Sequence, residues 1–149
     1  MHPFDLKTIV LAKHAQHVVL IHFPIALLIA GVAFDFLAER RKQRLLAAAA
    51  YYNFFAAALT TIPVLVTGIL AWQWQLEGQR LKGILLMHLV AGCVSSALIW
   101  AVWLMHRNAR QKEGGILPGY RLPVEAVVVA LVVLTGHLGG FLSGVNVPS

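Results

Sequence analysis

The sequence predicts an all-α integral membrane protein, a bundle of four transmembrane helices with both termini on the outer side. Two observations carry this. Hydrophobic residues make up 59% of the 149 residues and charged residues only 12%, against about 25% charged in ordinary soluble chains. Apolar runs of about twenty residues recur four times, each long enough to cross a bilayer as a helix.

The first span is predicted over about Gln16–Ala38, with Pro24 inside it. A proline removes one helical hydrogen bond and bends the helix, which membrane helices tolerate. The basic turn Glu39–Arg44 follows. The second span covers about Leu45–Trp74, with Thr60, Thr61 and Pro63 marking a bend near its middle. Gln75–Lys82 forms the second loop. The third span covers about Gly83–His106, where Gly92, Ser95, Ser96 and Ala97 offer a small-residue face for close helix contact. His106–Pro123 is the longest loop, with Gly114, Gly115, Pro118 and Gly119 as breakers. The last span covers about Val124–Leu142, and a short tail closes the chain. The residues show no soluble domain, no low-complexity tract and no clear internal repeat.

Orientation follows from the basic residues. Eight lie in the first and third loops: Arg40, Arg41, Lys42, Arg44, Arg107, Arg110, Lys112 and Arg121. Four lie in the N-terminal stretch and second loop: Lys7, Lys13, Arg80 and Lys82. This asymmetry places the first and third loops in the cytoplasm and the termini outside, in a bacterial inner membrane. It also explains the +6 formal charge by topology, with no nucleic-acid partner. Trp72 and Trp74 are expected at the outer interface, and Trp100, Trp103, Tyr51 and Tyr52 nearer the inner one. The N-terminal stretch Met1–Lys13 lacks the order of a cleaved signal, so the first span is expected to direct its own insertion.

Histidine stands where lipid-compatible residues are expected. His17 and His22 lie in the first span, His88 in the third and His137 in the last. An imidazole inside a membrane segment is expensive unless paired, wet or ligated. Counted along the helices, His22, His88 and His137 fall roughly 8–10 Å below the outer boundary. His17 is one face away from His22, about 140° around the helix, so those two suit different partners. His14 shares a face with His17 but lies at or beyond the interface. Small residues surround His137, among them Gly136, Gly139, Gly140 and Gly144. They make room for a flat ligand, or bring two helices together through Gly140 and Gly144.

Three or four imidazoles bind haem, zinc or copper. No acidic residue falls in this layer, which disfavours hydrolytic zinc. Asp35 and Glu125 fall at the opposite ends of their helices, where pairing with loop arginines is expected. The single Cys93 and the absence of a C-x-x-C-H motif exclude covalent haem attachment. Bis-histidine haem b, one or two per chain, is the leading reading, with His17, His22, His88 and His137 as candidate iron ligands. If only two bind, His88 with His22 or His137 is favoured. Gly136 and Gly140 would make room for the porphyrin; Arg80 and Lys82, with Lys13, would face the propionates. The expected role is electron transfer without substrate chemistry of its own, as a subunit beside a periplasmic c-type cytochrome or other redox subunit, with quinone as an alternative exchange partner. A non-redox anchor or assembly subunit and a metal- or proton-handling protein remain the alternatives.

Two segments carry a family resemblance. His17-Val-Val-Leu-Ile-His22-Phe-Pro-Ile-Ala-Leu-Leu with Phe34-Asp35-Phe36-Leu37, and Gly136-His137-Leu138-Gly139-Gly140-Phe141-Leu142, resemble the bacterial membrane family catalogued as domain of unknown function 2231. His88 matches its third-helix histidine. The resemblance spans essentially the whole chain. It implies a four-helix membrane domain, often accompanied by c-type cytochromes, with a suspected haem-binding role. Ser143–Val147 departs from the family's polar, histidine-bearing tail.

Overall fold

The computed structural model describes residues 13–75, 77–112 and 116–144. The expectations placed on residues 1–12 and on the end of the tail lie outside them. Four helices follow in order: α1 Lys13–Arg41, α2 Arg44–Gln75, α3 Gly83–Gln111 and α4 Arg121–Leu142. All four are long and apolar enough to cross a membrane. Short connections make neighbours antiparallel, so an even number of helices returns the chain to the end where it began. That end carries the histidine layer and is called the histidine end. The opposite end carries the α1–α2 turn and the α3–α4 loop and is called the arginine end.

The helices overrun the predicted spans mainly at the arginine end. There α1 runs on to Arg41, α3 continues past His106 to Gln111, and α4 starts at Arg121. Charged residues beyond the apolar run do not stop a helix. They hold solvent or lie over aromatic rings, as Arg110 does at 4.2 Å from the Tyr51 ring and Arg107 at 5.6 Å from the Trp103 ring. The first connection turns at Lys42, which takes φ 52°. Both Pro24 and Pro63 lie inside continuous helices. Near Pro63, Thr60 and Thr67 donate their hydroxyl protons to carbonyls of the preceding turn.

Each helix packs on its two neighbours around a square: α1 on α2, α2 on α3, α3 on α4, and α4 back on α1. The core is small, built on Leu28, Phe54, Ile99, Val102, Val128 and Val132 with alanines between them. Large apolar side chains such as Phe23, Ile62, Val66, Met87, Val90 and Val127 face outward. In a membrane this outward surface contacts lipid, and close packing rather than water exclusion holds the helices together.

The core carries a positional correspondence that the residue identities do not show. An offset of 71 residues maps α1 onto α3 and α2 onto α4. Along α1 the buried positions are Pro24, Leu28, Gly31, Asp35 and Ala38; their equivalents Ser95, Ile99, Val102, His106 and Ala109 are all buried. Along α2 they are Ala50, Phe54, Ala57 and Thr61; their equivalents Arg121, Glu125, Val128 and Val132 are all buried. Among the described residues only Ala58 and Ser96 are buried without a buried equivalent. The two hairpins therefore bury equivalent positions, as hairpins in parallel-repeat membrane folds do.

Candidate functional site

The repeat sorts the histidines. His17 and His88 occupy equivalent positions, 71 residues apart, and each has its Nδ1 against an oxygen of the following helix, a hydroxyl for His17 and a backbone carbonyl for His88. His17 Nδ1 lies 3.1 Å from Thr67 Oγ1 on α2. The hydroxyl proton of Thr67 goes to the Pro63 carbonyl, so the imidazole donates. His88 Nδ1 donates to the Thr135 carbonyl on α4 at 3.0 Å. Each ring also rests on a glycine. A Cβ built on Gly68 would stand 3.0 Å from His17 Cε1, and one on Gly139 the same distance from His88 Cε1. Gly68 and Gly139 are themselves 71 residues apart. For His88, donation from Nδ1 to a backbone carbonyl sets the tautomer and puts the lone pair that ligates metals on Nε2.

His22 and His137 are placed differently. Both are exposed on the outside of the bundle. His22 donates from Nδ1 to its own helix, at the Val18 carbonyl. His137 stacks edge-on against Phe141, ring centroids 5.0 Å apart. Equal depth along three helices does not bring three rings together, because depth leaves the rotation of each helix free. Of the other residues expected around the ligand, Gly136 lines a cavity between the helices, whereas Arg80 and Lys82 are exposed in the second loop. Gly140 and Gly144 do not form a helical contact pair: α4 ends at Leu142, and Gly144 takes φ 77° beyond it. The side chain of His14 lies outside the described residues.

The cavity, about 70 Å³, lies between the four helices, with His88 in its wall. Its lining comes largely in equivalent pairs, Ile21 with Gly92, Pro24 with Ser95, Ile25 with Ser96, Thr61 with Val132 and Val64 with Thr135, so both hairpins contribute to it alike. Its hydroxyls are satisfied: Ser96 donates to Gly92, Thr61 to Ala58, and Ser95 lies 3.1 Å from the Thr135 hydroxyl. Thr61 additionally accepts from Trp100 Nε1, which turns that indole into the bundle rather than toward an interface belt. The donor chemistry of His17 and His88 fits haem. The cavity, lined by His88 and not by His17, is far below the roughly 300–1,000 Å³ of cofactor pockets, so a porphyrin there requires the histidine end to part.

A second polar cluster lies in the arginine end, and its members were only partly legible. Asp35 receives Arg121 Nε at 2.7 Å, and the same guanidinium reaches Glu39 and the Pro118 carbonyl. Pairing of Asp35 with a basic residue of the third loop thus holds, except that Arg121 is the first residue of α4 and is buried. Glu125 does not pair with an arginine. Its Oε1 accepts from His106 Nε2 at 2.8 Å, both side chains being essentially sealed from solvent. Its Oε2 is buried with no hydrogen-bond partner. The His106 ring packs on Phe54 at 4.7 Å. His106 therefore belongs to the interior rather than to the edge of the third span. The repeat is the signal that finds it, since Asp35 and His106 are equivalent, as are Phe54 and Glu125.

No curated protein and no solved structure matches the chain. The model of the family described as predicted membrane protein, DUF2231, matches residues 13–146, nearly the whole sequence and all four helices, and the chain belongs to that family.

Proposed function

We propose that the chain is a membrane b-type cytochrome that passes single electrons at its histidine end, with His17 and His88 as the axial ligand pair. The carrying observation is the equivalence of these two rings: same place in each hairpin, Nδ1 fixed by an acceptor, ring seated on a glycine. Bound haem would supply one-electron redox chemistry. The chain's own residues would hold both imidazoles in the ligating tautomer and surround them with apolar side chains. His22 and His137, exposed on the bundle surface, are outside this pair. One haem per chain follows, rather than two.

In this reading the protein sits in a bacterial inner membrane, with the histidine end toward the periplasm as the basic residues indicate. Its partner is a periplasmic c-type cytochrome or another redox subunit, with quinone as the membrane-borne alternative. The test is the visible spectrum of the purified protein, oxidised and then reduced with dithionite. His17→Ala and His88→Ala are each expected to abolish the Soret and α bands of a bis-histidine haem. His22→Ala and His137→Ala are expected to leave them intact. A colourless, iron-free protein from cells with ample haem supply would end the proposal.

A further inference from the structure

We propose that Asp35, His106 and Glu125 bind one divalent first-row metal ion in the arginine end, tying the first hairpin to the second. One donor atom from each of the three residues lies within 4.8 Å of the other two, and all three residues are buried. Asp35 comes from α1, His106 from α3 and Glu125 from α4.

Charge is the first argument. Asp35 and Glu125 are 1% and 0% exposed, and among the described residues Arg121 is the one buried arginine or lysine beside them. Arg121 is already shared with the more exposed Glu39. Two sealed carboxylates face one shared guanidinium and one imidazole, so both stay ionised beside a neutral His106 only with a further positive charge.

The second argument is the unpartnered Oε2 of Glu125. A sealed carboxylate oxygen without a donor is costly, and a cation held by this carboxylate removes the deficit. The surroundings also resemble the supporting shell of a metal site, in which ligands are themselves fixed by neighbours. Arg121 Nε holds Oδ2 of Asp35, and Phe54 supports the face of the His106 ring. A metal between His106 Nε2 and Glu125 would take the place of their present hydrogen bond.

The donor set defines the ion. One imidazole and two carboxylates suit ions such as Mn²⁺, Fe²⁺ or Zn²⁺. The absence of thiolate from the set argues against Cu⁺, and three donors are too few for Ca²⁺, which takes six to eight oxygens. This site is independent of the haem reading, since it uses none of the histidine-end residues.

The experiment uses the full chain in detergent, stripped with chelator and titrated with Mn²⁺, free ion being counted by electron paramagnetic resonance, with Zn²⁺ as competitor. Wild type is expected to take up one ion per chain and to melt at higher temperature with the ion bound. Asp35→Asn and Glu125→Gln are each expected to weaken binding by about tenfold or more, and the His17→Ala/His88→Ala double variant to bind as wild type. If Glu125→Gln does not fold, His106→Gln carries the same test. No saturable uptake by wild type overturns the proposal, and the cluster is then a protonated acid–imidazole pair. Uptake unchanged by the cluster substitutions, or lost with the histidine-end double variant, overturns it equally.

Discussion

Replacing Arg121 with methionine is expected to destabilise the bundle by about 3–5 kcal/mol, because it leaves Asp35 as a buried charge without its partner. The guanidinium is 9% exposed and the Asp35 side chain 1%, so water does not readily replace the lost contact. The same guanidinium joins α4 to Glu39 near the end of α1, so the loss also loosens the contact between the first and last helices. Thermal unfolding of the purified protein in detergent, followed by far-UV circular dichroism, measures the effect. The pair is separable from mere loss of packing by a double variant. Arg121→Met with Asp35→Leu removes both charges and is expected to recover most of the stability, since a buried ion pair replaced by apolar residues is often neutral. Equal destabilisation in the single and double variants would refute this account of the pair.

Gly31→Val is expected to destabilise by about 3 kcal/mol, the upper part of the range for overfilled cores. A Cβ at Gly31 would stand 2.6 Å from Cε1 and 2.7 Å from Cδ1 of Phe54, and Phe54 is fully buried. The ring has no open direction in which to retreat. The helix-propensity gain of replacing glycine, about 1 kcal/mol at most, does not offset this overlap. The repeat supplies its own control: Val102 stands at the equivalent position in α3, where Glu125 takes the place of Phe54. Phe54→Leu is accordingly expected to relieve part of the Gly31→Val penalty, and the double-mutant cycle by thermal unfolding measures it. Strict additivity of the two substitutions would contradict the overlap.

The helices themselves were legible because a bilayer demands length and apolarity, and runs such as Val18–Ala33 state both openly. The rotation of each helix was not legible. Lipid-facing and core-facing positions are both apolar here, so the alternation that reveals a buried face in soluble proteins is missing. That is why His22 and His137 were grouped with His88, though they face outward. Arg121 was hidden for a different reason. It lies close to Pro118 and Gly119 and reads as loop, yet it opens α4 and is buried. The correspondence between the hairpins is hidden in the sequence because few identities fall at that offset, among them His17 with His88, Ala26 with Ala97, Leu27 with Leu98 and Gly68 with Gly139. Burial shows it where identity does not, since the depth of a position is kept while its size and chemistry change, as in Gly31 with Val102 and Ala50 with Arg121.

The distance in sequence between Asp35 and its partner bears on biogenesis. The two are 86 residues apart, on the first and last helices. When α1 leaves the insertion machinery, its carboxylate enters the bilayer before Arg121 has been synthesised, and a lone charge there is held only at considerable expense. Asp35 lies near the arginine end of α1, close to Arg40 and Arg41, so α1 can wait with that end drawn toward the aqueous face. Final seating of the first helix therefore follows synthesis of the fourth. A chain truncated before Arg121 would keep three apolar helices but not this partner, and its unsettled first helix would mark it for membrane quality-control proteolysis.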